Sequence, residues 1–147
     1  MLFRQAATAD IPDIQRVRHA VKENRLSDPA LVPDNDVADY IHRRGRGWVA
    51  VINGRVEAFA IVSIMDKNVW ALFVNPSFEA KGLGRQLHQL MMDWYFSQTD
   101  EDCWLSTDPQ SRAAGFYRAS GWKEAGTYGK GELKFILTSK DWQPQIP

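Results

Sequence analysis

The sequence predicts a mixed α/β domain, a mostly antiparallel sheet of about six to seven strands flanked by about four helices. Three observations lead there. Asn53-Gly54 stands between two apolar runs and is the strongest short signal for a two-residue hairpin, because both positions must take positive φ. A third apolar run, Val69 to Val74, follows the turn residues Asp66-Lys67-Asn68 and extends the hairpin to an antiparallel meander. Helical periodicity over about 82 to 97 separates that run from a short strand, Cys103 to Thr107, and strands joined through a helix run parallel.

Taken in order, residues 2 to 6 read as a first strand. Thr8-Ala9-Asp10 offers N-cap residues, with Asp13 at capping-box spacing from Asp10. Ile11, Ile14, Val17 and Val21 recur at helical spacing and predict a first helix over about 11 to 24, its other face carrying Arg16, Arg18, Lys22 and Glu23. Ser27 to Pro33 is a proline-bearing loop. Asp34-Asn35-Asp36 caps a shorter helix that turns Val37, Tyr40 and Ile41 inward and ends at Gly45 and Gly47. The meander follows: Trp48 to Ile52, the mostly apolar Arg55 to Met65 covered on both faces, then Val69 to Val74.

Leu83, Leu87, Leu90 and Trp94 mark the expected buried stripe of the crossover helix. Asp108 to Ser111 opens a further helix that Gly121 stops, and Trp122 to Tyr128 with Glu132 to Leu137 makes a closing hairpin. The tail over 139–147 reads as loose, and 1–147 as one domain with no repeats or linker.

Composition narrows the function classes. Equal numbers of basic and acidic residues, 18 each, argue against a nucleic-acid or anionic-membrane partner and make any anion site local. The longest apolar run, Ala58 to Met65, is far below the roughly 20 residues a membrane span needs. One cysteine, Cys103, allows no internal disulfide, and Met1-Leu2-Phe3-Arg4 lacks a signal-peptide run, so a cytoplasmic setting is expected. Cys103 itself reads as an inert small hydrophobe. His19, His42 and His88 have no metal-ligand spacing, so no metal is expected. Trp48, Trp70, Trp104 and Trp122 fall on or beside strands and read mostly as core.

The stretch Val69 to Gln86 is the chemical centre. An apolar strand runs into Asn75-Pro76, and a glycine pair, Gly82 and Gly84, stands at the mouth of a helix. The first turn of a helix leaves backbone N–H groups unpaired at the positive end of its dipole, and glycine lets a bulky anion approach them. Across proteins such a pair is as often a tight turn as a ligand site.

Two segments then converge on a family. Leu72 to Leu87, L-F-V-N-P-S-F-E-A-K-G-L-G-R-Q-L, resembles the acetyl-CoA-binding motif of the GNAT N-acyltransferase superfamily. Gln110 to Trp122, Q-S-R-A-A-G-F-Y-R-A-S-G-W, resembles its second signature, 33 residues on from Gly84 to Tyr117. The opening R-Q-A-A-T-A-D-I-P-D-I is similar to its first strand and helix. The resemblance implies a sheet splayed in its middle and acetyl-CoA as co-substrate. It implies a pyrophosphate held by the amides of Lys81, Gly82, Leu83, Gly84, Arg85 and Gln86, with Lys81 and Arg85 adding charge. Phe73, Gln110 and Phe116 join the cofactor set, and a backbone N–H of Phe73 or, as favoured, Val74 donates to the oxyanion. Tyr117 becomes the general acid that protonates the leaving thiolate. Two departures stand out: Glu79 replaces the family's Gln or Arg, and Gln110 its Asn.

An alkyl amine near pKa 10 must lose a proton before it attacks. Glu23, Asp66 and Glu132 are candidate bases, and the sequence does not choose among them. The expected activity is acetyl transfer to a primary amine of a small molecule or a peptide, by direct attack in a ternary complex. A non-catalytic acyl-CoA-binding module is the alternative, disfavoured by the intact A-x-x-F-Y pattern. Arg43-Arg44-Gly45-Arg46 reads as a solvated helix end. The acceptor amine and the oligomeric state stay open, with a homodimer through the closing hairpin as one option.

Overall fold

The computed structural model describes residues 1–21 and 32–142. Its strands are β1 (Leu2–Gln5), β2 (Gly45–Ile52), β3 (Arg55–Ser63), β4 (Asn68–Val74), β5 (Cys103–Thr107), β6 (Lys123–Tyr128) and β7 (Glu132–Leu137). Its helices are α1 (Ile11–Ala20), α2 (Asp34–Asp39), α3 (Leu83–Gln98) and α4 (Arg112–Ala119). One seven-stranded sheet has the order β1-β2-β3-β4-β5-β7-β6, as expected of the mixed α/β class. Every neighbour pair is antiparallel except β4 and β5.

Two apolar layers cover the sheet. Leu83, Leu87, Met91 and Tyr95 of α3 pack with Ala58, Ala60 and Val62 of β3 on one face. Ile14 and Val17 of α1, with Val37 and Ile41, pack with Phe59, Ile61 and Ala71 on the other. So β3 is buried on both faces, which is why its sequence is apolar without alternation.

The sheet opens at its centre. β4 and β5 share one register pair, Asn68 with Trp104, where the Trp104 N–H donates to the Lys67 carbonyl at 3.0 Å. Beyond it β5 pairs along its whole length with β7, while β4 stays with β3. A V-shaped gap follows between the C-terminal ends of the two parallel strands. β4 also carries a bulge, since Ile61 faces Ala71 and Val62 faces Val69, leaving Trp70 extra. The bulge turns Trp70, Ala71 and Phe73 toward the α1 layer and leaves Leu72 and Val74 on the α3 layer.

Several expectations need correction. α1 ends at Ala20, Val21 is already extended, and residues 22–24 of the expected span, including Glu23, lie outside the described residues. Arg18, expected on the outer face of α1, is buried. It stands four residues after Ile14 and so shares the apolar stripe. α2 runs through one wider turn, Tyr40–Arg44, straight into β2. Gly45 and Gly47 therefore belong to the strand rather than to a helix stop. A Cβ on Gly45 would meet the Val62 carbonyl oxygen at 1.8 Å, so close strand approach demands that glycine. In α3 the buried stripe runs through Leu87, His88, Met91, Met92 and Tyr95, and Leu90 is exposed. The tail is anchored as far as Trp142, whose Nε1–H donates to Asp93 Oδ1 at 2.7 Å. Residues 143–147 lie outside the described part.

Candidate active site

The segment after β4 makes a helix mouth without a side-chain cap. Asn75 accepts from the Ser77 N–H at 3.2 Å and starts a single tight turn over Pro76–Phe78. Ala80 (φ 63°) and Gly82 (φ 79°) then take left-handed conformations that bring the chain round to α3. Gly82 is the N-cap and has no side chain to offer. The first helical bond is Gln86 N–H to the Gly82 carbonyl at 3.1 Å. The amides of Leu83, Gly84 and Arg85 therefore project from the positive end of α3 with no cap to satisfy them. Such a helix mouth can receive an anion through its backbone.

A cavity of about 430 Å³ runs from that mouth into the gap, lined among others by Leu72, Val74, Phe78, Gly84 and Phe116. Strand alternation fixes which β4 amides reach it. Asn75 N–H donates to the Glu57 carbonyl at 2.8 Å, and Phe73 faces Phe59 two residues earlier. The Phe73 amide thus points to β3, whereas the Leu72 and Val74 amides point across the gap. Of the two donors the sequence offered, only Val74 faces the cleft, and Leu72 joins it.

Glu79 lines the cleft and pairs with Arg112 of α4 at 2.6 Å. Its carboxylate, which stands where the resembled motif has Gln or Arg, is thereby partnered by a cation. Glu79 is also the cleft's one acidic side chain among the described residues.

Tyr117 sits beneath this cleft. Ser111 caps α4 by accepting from the Ala114 N–H at 3.2 Å, setting the helix that carries Phe116 into the cavity wall and Tyr117 into the core. The Tyr117 ring packs against Trp122 at 5.6 Å and is only 6% exposed. Burial, with Cys103 nearby, pushes its hydroxyl pKa upward. The phenol therefore stays protonated through the neutral range. Tyr117 packs against Phe116, Trp122 and Phe135 and is not among the residues that line the cleft. The Cys103 thiol is buried and its pKa is also raised, as suits an inert residue. Below, Trp122 Nε1–H donates to His88 Nε2 at 2.9 Å. Burial lowers the His88 pKa to about 4, so the imidazole is a neutral acceptor.

Of the residues singled out from sequence, Phe73, Val74, Gly82, Leu83, Gly84, Arg85 and Phe116 line the cleft. Lys81 and Gln86 are exposed beside it, and the Gln86 amide is spent in the helix. Gln110 is exposed, its N–H bonded to Asp108 Oδ1 at 2.8 Å. Asp66 accepts from the Ser63 hydroxyl at 2.8 Å at the far end of β4, away from the gap. Glu132 accepts from the Ser106 hydroxyl at 2.7 Å, on the β5–β7 side. Among the described residues no group of three or more His, Cys, Asp or Glu could hold a metal, and no helix is long and apolar enough to cross a membrane. The Leu72 amide and Arg112 escaped the sequence reading. Strand alternation was the available signal for the first, and nothing local marked the second.

Comparison with known proteins agrees with this fold. A family model described as the acetyltransferase (GNAT) family matches residues 13–122. Among solved structures, the ribosomal-protein-S18-alanine N-acetyltransferase of Escherichia coli is 20% identical with a TM-score of 0.75, covering 93% of this chain and 92% of that one. The PaiA N-acetyltransferase of Thermoplasma acidophilum, in complex with coenzyme A, is 15% identical with a TM-score of 0.81, covering 93% and 98%. The ribosomal-protein-alanine N-acetyltransferase of Brucella melitensis is 19% identical with a TM-score of 0.74, covering 94% and 99%. No curated protein matches the chain by sequence.

Proposed function

The chain belongs to the GNAT acetyltransferase family, and from that membership we propose that it moves an acetyl group from acetyl-CoA to a primary amine by direct attack in a ternary complex. The observation that carries this reading is the gap itself. Free amides of Leu83, Gly84 and Arg85 stand at one end, and inward-facing amides of Leu72 and Val74 line the strand beyond. The thioester supplies the activated acyl group. The amides at the α3 mouth hold its pyrophosphate. Val74, with Leu72 two residues deeper, offers preorganised donors to the arm and to the oxygen on which charge develops.

Tyr117 is the general acid in this proposal. A thiolate with a pKa near 8.5 leaves more readily when a proton arrives with it. A buried phenol that stays protonated at neutral pH can supply that proton. Glu79 is committed to Arg112 and Asp66 stands away from the gap, so amine deprotonation falls to water, to Glu132 or to Glu23. The acceptor class is a small-molecule or peptide amine. Neighbours described as acting on ribosomal-protein alanine support an amine acceptor in general.

The test is release of free thiol from acetyl-CoA across an amine panel, with and without enzyme. Amine-dependent release supports transfer. Coenzyme A binding with no turnover on any amine would favour a binding module instead.

A further inference from the structure

On the α1 side of β4, opposite the α3 layer, a charge lies buried without a hydrogen-bond partner among the described residues. Arg18 is 7% exposed, and its Nε and Nη2 make no hydrogen bond. Three rings surround the guanidinium, with its carbon 4.9 Å from the Trp70 centroid, 5.3 Å from Phe73 and 5.9 Å from Phe59. Aromatic faces stabilise a cation, but an N–H aimed at a ring gains far less than one given to a charged oxygen. Burial lowers the Arg18 pKa to about 10, and among the described residues no carboxylate offsets that shift. A buried cation left with open donors is costly, and native structures rarely keep one without a reason.

The identity of the open donors points to the missing partner. Nε–H and one Nη2–H lie parallel along a single edge of the planar guanidinium. That edge is the fork that binds a carboxylate through two hydrogen bonds. The box also adjoins the cleft. Phe73 belongs to both, and Val21, whose N–H bonds the Arg18 carbonyl at 3.3 Å, lines the cavity as well. The anion site at the α3 mouth lies on the other side of the strand, so Arg18 is not part of the phosphate cradle.

We infer that the open edge of Arg18 receives the carboxylate of an amine-bearing carboxylic acid, anchoring the acceptor with its amine toward the gap between β4 and β5. This rests on the acetyl-transfer reading and names the acceptor's chemical class. The fork edge lies below the surface, beside the cavity that Val21 and Phe73 line. The carboxylate of the docked amine supplies the acceptors that the two nitrogens lack. Arg18 is a binding and specificity residue, and the bond-making step is unchanged.

The test compares matched amines: an amino acid, its carboxamide and its decarboxylated amine, each with acetyl-CoA, on the wild type, Arg18→Lys and Arg18→Met. The wild type is expected to favour acid over carboxamide at least tenfold in kcat/KM. Arg18→Met should bring the ratio close to one, with Arg18→Lys between, because a lysine keeps the charge and loses the fork. A merely structural Arg18 would lower all three substrates together and leave the ratio intact. A wild type without acid preference, or a preference that survives Arg18→Met, overturns the inference. If no amine is acetylated, the transfer reading fails, and calorimetry on the CoA-loaded protein judges Arg18 alone. There, tighter binding of the amino acid than of its carboxamide, lost in Arg18→Met, supports the anchor, and equal or absent binding overturns it.

Discussion

The two faces of β4 solve opposite problems with opposite materials. Toward α3, the strand presents Leu72 and Val74 to a cleft whose polar groups are mostly backbone amides, its own and those of Leu83 to Arg85. Toward α1, it presents Trp70 and Phe73 to one buried guanidinium. The first face asks little of side chains beyond their absence, as at Gly82 and Gly84. The second depends wholly on which side chains meet, drawn from α1, β3 and β4. A backbone-built site serves a ligand that stays the same, whereas a side-chain box can be remade for a new acceptor. The Trp70 bulge lets one strand do both, because it sets two successive residues on the α1 side.

Perturbing each face should separate them. The largest expected effect is beneath the cleft, where Tyr117→Phe is expected to lower kcat by about 10²–10⁴. Wild-type turnover by that variant between pH 6 and 9 would remove Tyr117 from the mechanism. Next comes acid. His88 has a folded pKa of about 4 against an ordinary 6.5, so the unfolded chain binds more protons over that interval. Stability is expected to be untouched by this group above pH 6.5. It then falls by up to about 1.4 kcal/mol per pH unit, the loss levelling off below pH 4. Chemical denaturation of wild type and His88→Gln across pH 4 to 7 reads the difference, with a shallower fall expected in the variant.

Arg18→Met tests the α1 face through stability. Removing an uncompensated buried cation while keeping an unbranched apolar chain is expected to raise the unfolding free energy by about 1–2 kcal/mol. A clear loss of stability would mean the rings repay the whole cost of burying Arg18. Gly84→Ala is the smaller counterpart on the α3 face. An added Cβ meets only Val74 Cγ2, at an ordinary 3.6 Å, so the helix gains up to about 1 kcal/mol from the better helix former. Coenzyme A, approaching those same amides, should bind several-fold more weakly by calorimetry. Both substitutions exchange function for stability, one at each face.

What the sequence revealed follows the same division. β5 and β7 lie at their expected positions, because turn residues bracket short apolar runs. The glycine mouth of α3 was legible in part because Gly82, with φ 79°, takes the left-handed conformation that favours glycine, whereas Gly84 is helical and its backbone does not require the residue. Gly45 and Gly47 misled, since a glycine that ends a helix and one that lets strands close up look alike. Leu90 misled because Leu83, Leu87 and Met91 define an equally regular stripe, and tertiary packing chose between them. Arg18 was assigned to solvent by residue type alone, although its spacing from Ile14 placed it inside. The splay itself depends on how many pairs β4 and β5 make across the sheet, which no local pattern encodes.

The central claim is that the gap between β4 and β5 binds acyl-CoA and transfers its acyl group. Single-turnover mixing of the protein with acetyl-CoA and a saturating amino acid, read as free thiol and as acetylated amine together, tests it most directly. The expected result is stoichiometric release of thiol matched by acetylated amine, with Tyr117→Phe slowing both equally. Thiol released without acetylated amine, or neither product at any amine concentration, would contradict it.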